Sequence, residues 1–387
     1  MAGRSKAFLR SQVQLLAVST IMSRPTVAVV DLNALRTNFA LAQSLAPEAN
    51  AIPMVKANAY GHGMIEVSRA LSESAPAFGV ASIDEALMLR EAGIEQPILL
   101  LEGTFSCDEV EIAADNNFML MVENLAQKDA IVNTSISQPI TVWLGIDTGM
   151  HRLGFQAKEA AQAYHALKNS DNVTQPIIAA SHFACADDMG SSATEAQLAI
   201  FDQWIESQTL VSGDIIKQSL ANSAAILAWP KTHRDWQRPG YMLYGNSPFS
   251  EDQDNADKLI PVMSLQSAVI SIRCIPSGES VGYTANWTAK RDSTIATITV
   301  GYGDGYPRQA PNGTPVLING VRCPLVGRVS MDMITVDVTD LDLVSIGDKV
   351  VLWGPELPVN EIARHCDTIG YELLTRMPSR VPRIYIN

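Results

Sequence analysis

Short apolar runs and more polar, helix-prone stretches alternate along the first two thirds of the chain. Eight runs follow one another from residue 51: AIPMV (51–55), AFGVA (77–81), PILLL (97–101), FMLMV (118–122), ITVWLGI (140–146), PIIAASHF (176–183), IIKQSL (215–220) and GYMLYG (240–245). Near-continuous apolar character is typical of strands that are buried on both faces of a parallel sheet. Eight strand–helix units in about 200 residues predict an α/β fold with an N-terminal (β/α)₈ TIM-type barrel. An open doubly wound sheet is the alternative, but no G-x-G-x-x-G motif follows an early run.

The segment SIDEALMLREAG (82–93) represents the helical stretches between these runs. Ser82 and Glu85 have the spacing of a capping box at a helix start. Gly93 suits the end of the same helix, because glycine readily takes the left-handed conformation found there. We therefore predict a helix that is capped by Ser82 and ends near Gly93.

The pattern changes after residue 255. Apolar and polar positions now alternate, and Gly, Asn or Pro turns separate the runs, as in TIATITVGYGDGY and TPVLINGVRCPLV. This pattern predicts a mainly antiparallel β domain. We assign the barrel to residues 33–255 and the β domain to residues 256–387, and we expect an early strand at residues 24–32 to join that second domain.

Residues 1–22 stand apart from both domains. Basic residues precede a short apolar run there, as in a secretory signal, but Ser and Thr interrupt the run and no A-x-A cleavage site follows. We expect a disordered extension and a cytoplasmic protein, or a periplasmic one if the segment acts as a signal peptide. No segment has the length of about 20 apolar residues that a membrane span needs.

Composition excludes several classes of protein. The formal net charge is −13, which argues against nucleic acid as a partner. The five cysteines are scattered and form no CxxC pair, so neither a disulfide framework nor a metal site is expected. This composition and negative net charge fit a protein that acts on a small molecule.

Lys56 is the first candidate for chemistry, because it directly follows the first apolar run. Active sites of (β/α)₈ barrels lie at the carboxyl ends of the strands. A lysine beside apolar strand ends can have a lowered pKa and bond covalently to an aldehyde cofactor. The AYGHG sequence at 59–63 adds a flexible loop with a hydroxyl group. The alternative is a surface lysine whose stem alone is buried.

Further candidates follow the later strands. His182 ends the sixth run, where a histidine is either a core residue or a site residue. Ser223, Gly240 and Tyr241 lie near the loops after strands seven and eight, where barrels commonly hold a phosphate with backbone N–H groups and a hydroxyl. Ser223 also suits a helix N-cap. Arg238 could face a pyridine nitrogen and keep it unprotonated, since arginine retains its own proton.

The predicted β domain is rich in tyrosine. Tyr283 lies in SVGYTANW, while Tyr302 and Tyr306 lie in TVGYGDGYPR. Such tyrosines are usually half-buried strand residues. A tyrosine can also act as a general acid or base when a neighbouring cation lowers its pKa.

Taken in order, these segments resemble the motifs of bacterial alanine racemase. They are MVKANAYGHG, DTGMHRLGF, SHFACAD, ANSAA, RPGYMLYG, ESVGYTANW, GYGDGYPR and VGRVSMDM, and the resemblance covers roughly residues 24–387. It implies a fold-type III pyridoxal 5′-phosphate enzyme that is a head-to-tail homodimer. The implied activity is interconversion of L-alanine and D-alanine, either supplying D-alanine for peptidoglycan or degrading it.

The resemblance also implies roles for individual residues. Lys56 and Tyr283 match two bases that act on opposite faces of the substrate, with Tyr283 supplied by the partner subunit. The matched cofactor-binding residues are Lys56, Tyr60, His182, Ser223, Arg238, Gly240 and Tyr241. The matched substrate-binding residues are Arg152, Tyr302, Met331 and Asp332. His182 matches the histidine that links the arginine to the catalytic tyrosine.

Two positions depart from the family pattern. Gly145 stands where many members have a lysine, often carbamylated, whose negative charge orients the arginine at Arg152. We expect a bound anion, a water or another side chain to fill that gap. Ser379 stands where the family often has a phosphate-binding tyrosine, and we expect its shorter hydroxyl to reach the phosphate only through water, which would weaken cofactor retention.

Three alternatives remain open. A broad-specificity or serine-preferring racemase of the same fold would share these motifs. A decarboxylase of the same two-domain plan would need a carboxylate at the ring nitrogen and a cysteine from the β domain, which Arg238 and Tyr283 argue against. A cofactor carrier without catalysis would lack the β domain.

Overall fold

The computed structural model describes residues 24–387. The expected extension or signal segment at residues 1–22 lies outside the described residues. Strand β1 (Val27–Asp31) comes first and leads directly into helix α1 (Leu32–Leu45), whose N-terminus is capped by the Asp31 carboxylate through the N–H groups of Asn33 and Ala34.

The first unit is a barrel of parallel strands. Its strands are β2 (Asn50–Ala51), β3 (Phe78–Val80), β4 (Ile98–Leu100), β5 (Phe118–Val122), β6 (Ile140–Gly145), β7 (Val173–Ala180), β8 (Lys217–Ser219) and β9 (Trp236–Gln237). They pair in the order β2-β9-β8-β7-β6-β5-β4-β3. A parallel bridge between Met54 and Gly79 joins the first strand segment to β3 and closes the barrel.

Helices cover the outside of the barrel. After α1 these are α2 (Met64–Leu71), α3 (Ile83–Glu91), α4 (Asp108–Asp115), α5 (Leu125–Asn133), α6 (Ala157–Lys168), α7 (Ala193–Ser212) and α8 (Ser223–Ala228). The barrel interior is filled by a separate apolar cluster that includes Met54, Met121 and Trp143. The predicted (β/α)₈ barrel is confirmed.

The eighth strand was predicted at the wrong position. The run GYMLYG does not form a strand, because Tyr241–Tyr244 is a 3₁₀ turn and β9 lies a few residues earlier. Tyr241 is buried in the core of the second unit, whereas Met242 to Tyr244 are buried in the barrel's outer core. The run is apolar because it packs between the two units.

Helix α3 forms where predicted, but its cap differs. Ser82 occupies the N-cap position without a side-chain hydrogen bond. Glu85 instead accepts hydrogen bonds from the N–H of Ala81 at 2.8 Å and from the N–H of Ala57 at 2.7 Å. The carboxylate that completes the sequence motif therefore connects the helix to the segment after the first strand.

The second unit is mainly antiparallel sheet. It contains β10 (Met263–Ile275), β11 (Ser293–Ile298), β12 (Pro315–Ile318), β13 (Val321–Pro324), β14 (Ile334–Asp337), β15 (Lys349–Trp353) and β16 (Arg383–Ile386), with helices α9 (Val359–His365) and α10 (Gly370–Thr375). Strand β1 lies between β10 and β16, antiparallel to the first and parallel to the second. The N-terminal strand therefore belongs to this sheet, and the predicted β fold is confirmed.

Candidate active site

The segment Lys56–Tyr60, which we call the lysine turn, has an unusual backbone. Ala57, Asn58, Ala59 and Tyr60 all have φ between 51° and 54°, so the turn is left-handed. This conformation costs L-residues roughly 1–2 kcal/mol each. Surrounding groups must therefore hold the segment in place.

Contacts from three directions hold the lysine turn and the glycine after it. Glu85 accepts the N–H of Ala57. The Asn58 side chain accepts the N–H of Met64 at 2.8 Å. From β16, the Arg383 guanidinium donates to the Gly61 carbonyl at 2.9 and 3.0 Å. Strain that is fixed by several independent contacts is typical of functional segments.

Lys56 opens this turn at the carboxyl end of the first strand segment and is half-buried. Burial lowers its pKa, and the positive charges of Arg152 and Arg238 lower it further, while Glu102 and Glu85 act in the opposite direction. A lysine with a lowered pKa is neutral in a larger fraction of molecules, as a nucleophile or a base must be.

Arg238 follows β9 and is buried at the same end of the barrel as Lys56. Its guanidinium donates hydrogen bonds to Ser219 Oγ, to the Ser181 carbonyl at 2.5 Å and to the Leu220 carbonyl at 3.2 Å. Burial lowers the pKa of Arg238 to about 10, which still leaves it charged at neutral pH. The arginine is therefore a fixed cation aimed by the backbone of neighbouring strands.

His182 follows β7 at the same end of the barrel. Burial, together with the charges of Arg238, Arg152 and Lys56, lowers its pKa to about 3. Its ring makes no hydrogen bond to Arg238 within the described residues, so the link that the resemblance implies is not formed in this structure. A neutral imidazole beside two arginines adds no further positive charge to the pocket.

Ser223, Gly240 and Tyr60 meet in a small polar recess. Ser223 Oγ accepts the N–H of Gly240 at 2.9 Å and that of Met242 at 3.2 Å. A Cβ on Gly240 would lie 2.7 Å from the Tyr60 hydroxyl, so only glycine leaves the recess open. The helix N-cap next to it is Asn222, which accepts the N–H of Ala225, and not Ser223.

Tyr241 borders the recess only through its backbone. Its side chain is buried in the second unit, where its hydroxyl donates to Asn360 Oδ1 at 2.5 Å. Its ring stacks on Tyr371 with centroids 3.6 Å apart. Tyr371 also lies near Tyr60, at 6.3 Å between ring centroids, and the sequence motifs gave no signal for it. Ser379 is exposed and has no hydrogen bond to these groups.

Arg152 lies on the loop after β6, and this loop is shaped by Asp147. The Asp147 carboxylate accepts the N–H groups of Gly149 and His151, each at 3.0 Å, and contacts the His151 ring at 2.8 Å. Arg152 itself is exposed. At the start of this loop, the carboxylate of Glu123 occupies the space beside Gly145. A side chain thus occupies the space beside Gly145, but no hydrogen bond or ion pair joins it to Arg152 within residues 24–387.

Tyr283, Tyr302, Met331 and Asp332 form a second group on an exposed face of the β domain. Tyr283, 67 % exposed, and the two residues Met331 and Asp332 line a surface cavity of about 480 Å³. The N–H of Tyr302 donates to the Ser330 carbonyl at 3.0 Å, which fixes its loop against the loop that carries Met331. No hydrogen bond or ion pair joins this group to Lys56 within residues 24–387.

The chemical groups at this end of the barrel suit a phosphorylated aromatic aldehyde. Lys56 supplies an amine with a lowered pKa and Arg238 a buried cation, and the recess at Ser223 and Gly240 holds a hydroxyl and a backbone N–H that are bonded to each other in this structure. Recesses of this kind bind phosphate in (β/α)₈ barrels. Fold and site together define a two-domain barrel protein whose lysine-centred pocket suits pyridoxal phosphate.

Comparison with known proteins agrees with this class. The family model described as alanine racemase, N-terminal domain, matches residues 30–248, and the alanine racemase C-terminal domain matches residues 262–385. The chain belongs to the alanine racemase family. It is 48 % identical to the alanine racemase of Stutzerimonas stutzeri over 94 % of this chain and 99 % of that one.

Solved structures give the same answer. The biosynthetic alanine racemase from Pseudomonas aeruginosa superposes with a TM-score of 0.89 at 46 % identity, covering 94 % of this chain and all of that one. The alanine racemase from Bartonella henselae, described with covalently bound pyridoxal phosphate, gives 0.83 at 31 % identity, covering 94 % and 99 %. The predicted family is confirmed. Within residues 24–387, no helix is long and apolar enough to cross a membrane.

Proposed function

We propose that the protein is a pyridoxal-phosphate-dependent racemase that interconverts L-alanine and D-alanine. The observation that carries the proposal is Lys56, a half-buried amine with a lowered pKa that lies among Arg152, Arg238 and His182 at the carboxyl end of the barrel. Relatives that are named alanine racemase and share almost the full length of the chain support the same activity.

Each part of the cofactor has a group on this chain that suits it. Lys56 would bond to the aldehyde carbon, Arg238 would face the pyridine nitrogen, and Tyr60, Ser223 and the N–H groups of Gly240 and Tyr241 would hold the phosphate. When bound, pyridoxal phosphate withdraws electrons from the amino-acid Cα and so acidifies its proton. Because Arg238 keeps its charge, it would leave the ring nitrogen unprotonated and so limit side reactions.

Inversion at Cα requires one base on each face of the substrate. Lys56 would exchange a proton with the D-enantiomer, and Tyr283 of a second copy of the chain would exchange one with the L-enantiomer. The exposure of Tyr283 on its own chain supports this arrangement, since a base must come within hydrogen-bond reach of Cα. A homodimer with shared sites follows from it.

Substrate selection would fall to the residues around the opening. Arg152 carries the positive charge that suits the carboxylate of an amino acid. Tyr302, Met331 and Asp332 of the second copy would border the entrance and limit the size of the side chain. A small substrate such as alanine suits an opening bordered by bulky groups.

A direct assay tests the proposal. The purified protein, loaded with pyridoxal phosphate, is given a panel of L-amino acids that includes alanine and serine, and D-products are measured. We expect the highest kcat/KM for alanine. Borohydride reduction followed by peptide mapping should mark Lys56. A label on another lysine, or absence of D-alanine, would reject the proposal, while a preference for serine would identify the broad-specificity or serine alternative.

A further inference from the structure

Glu123 directly follows β5 at the carboxyl end of the barrel, next to the end of β6. A Cβ on Gly145 would lie only 1.9 Å from Glu123 Oε2 and 2.6 Å from its Cδ. Carbon atoms do not approach a carboxylate so closely. The carboxylate can therefore occupy this position only because residue 145 has no side chain, and the two residues form a matched pair.

Two arginines and one aspartate act on the charge of this carboxylate. Arg238, from the end of β9, and Arg152, from the loop after β6, both attract its negative charge, and Asp147 on the same loop repels it. No ion pair within 4.0 Å reaches Glu123 among the described residues, and its carboxylate accepts no hydrogen bond there. Its influence on the two arginines is therefore a charge effect across the pocket.

The Glu123 backbone is fixed by a hydrogen bond, whereas its carboxylate is placed only by packing against Gly145. The backbone N–H of Glu123 donates to Gln127 Oε1 at 2.8 Å. A cavity of about 400 Å³ is lined by Glu102, Glu123 and Gln127 among others. A side chain added at position 145 would displace the carboxylate, and this cavity is a space that Glu123 already borders.

We propose that Glu123 is a positioning residue for the racemase reaction: its carboxylate, held against Gly145, supplies the negative charge that orients Arg152 toward the substrate carboxylate and balances Arg238. The inference rests on the proposed function, because it takes Arg152 as a substrate-binding residue. Glu123 acts through Arg152 and Arg238 and does not itself contact the substrate.

The charge of Glu123 changes near neutral pH. Burial raises its pKa to about 7, and Arg238 and Arg152 limit that rise. Glu102 lines the same cavity, and His182 and Lys56 face the same two arginines. Above about pH 7 the carboxylate is ionised and orients Arg152; below it, the carboxylate is neutral and this effect is lost.

Three variants of the cofactor-loaded enzyme test the pair: E123Q, G145A and E123Q/G145A, with E111Q on the exposed face of α4 as the matched control. We expect E123Q to raise KM for alanine about tenfold, to change kcat less, and to remove the inflection of kcat/KM near pH 7. G145A should act in the same direction. In the E123Q background it should add less than about twofold, because coupled residues are not additive.

Two measurements do not depend on turnover. Infrared spectroscopy of the wild-type enzyme should reveal a carboxyl group that titrates near pH 7, absent in E123Q and moved to lower pH in G145A. Calorimetry should give an affinity for acetate, a probe of Arg152, that rises above pH 7 in the wild-type enzyme and is flat in E123Q.

Unchanged KM and pH profile in E123Q would overturn the inference, as would an equal effect of G145A in both backgrounds. If the wild-type enzyme produces no D-alanine, the proposed function fails on its own. The infrared and acetate measurements then decide the role of Glu123 separately: a carboxyl titration unmoved by G145A, or an acetate affinity unmoved by E123Q, rejects it.

Discussion

The Tyr60 hydroxyl lies 2.7 Å from the position that a Cβ would take on Gly240. This contact joins the lysine turn, near the start of the barrel, to the loop after its last strand. Because the atom is the end of an aromatic side chain that stacks on Tyr244 at 4.8 Å, it cannot move aside freely. A methyl group on Gly240 must therefore displace Tyr60 or distort the loop.

Gly240→Ala should weaken cofactor binding. We expect the dissociation constant of pyridoxal phosphate to rise roughly tenfold, because a misplaced hydroxyl and N–H each weaken a charge-assisted hydrogen bond. Equilibrium dialysis followed by absorbance measures it. Gly93→Ala is the matched control, since no atom of residues 24–387 lies within 4 Å of a Cβ there, although its positive φ will cost some stability. Equal cofactor affinity in both variants would contradict the steric explanation.

The role proposed for Tyr283 predicts that each site of a homodimer is built from both chains. Tyr283→Phe should retain the cofactor absorbance near ~420 nm and lower racemisation by roughly 10²–10⁴-fold, the usual contribution of a general acid or base. Tyr283→Phe and Lys56→Ala chains should each be nearly inactive. After unfolding and refolding together they should recover about a quarter of wild-type activity, because random pairing gives mixed dimers with one complete site. Failure to recover activity would mean that Tyr283 serves its own chain or neither.

His62 predicts how stability depends on pH. Burial lowers its pKa to about 4, and its ring stacks on Tyr244 with Nδ1 at 3.0 Å from two backbone carbonyls. In the unfolded chain His62 binds a proton near pH 6.5, whereas in the folded chain it binds one only near pH 4. The free energy of unfolding should therefore fall between these pH values by about 3 kcal/mol.

His62→Phe should reduce that slope while lowering stability at pH 7 through the lost hydrogen bonds. His182 contributes a slope in the same direction and remains in this variant. Urea unfolding at pH 7, 6 and 5 measures the effect, with His165→Gln as the control. An unchanged slope in His62→Phe would show that His62 is not buried in neutral form.

The buried carboxylate of Asp304 should contribute strongly to the stability of the protein. It is fully buried and pairs with Arg24 at 2.7 Å and with Arg380 at 3.0 Å, and it accepts the N–H of Gly301. Removing one partner of a buried ion pair leaves uncompensated charge. We expect Asp304→Asn to destabilise the protein by about 3 kcal/mol. Asp340→Asn, which removes an exposed pair with Arg291, should cause no measurable change in thermal unfolding.

The apolar pattern predicted most of the barrel because burial on both faces leaves a continuous run of apolar residues. It failed for the eighth strand, since β9 has only two residues and follows Asp235, which leaves no such run. The stronger signal nearby, at 241–244, arises from packing between the two units. A pattern of this kind reports burial, not the element that achieves it.

The candidate site was predictable where strand ends carry distinctive side chains, as at Lys56, His182 and Arg238. Glu85 was interpreted as a helix cap, but its carboxylate is engaged by the lysine turn. Glu123 and Tyr371 gave no signal, because their positions depend on contacts between segments far apart in sequence. Local patterns carry no information about such contacts.

The lysine turn depends on residues near the end of the chain. Arg383, which holds the Gly61 carbonyl, lies 322 positions further along the chain, and Tyr385 donates to the His62 carbonyl. A ribosome must therefore synthesise both units before the strained backbone at Lys56 gains its last supports. A chain interrupted before β16 would leave the lysine turn incompletely supported, so we expect any binding of cofactor at Lys56 to come late in biogenesis.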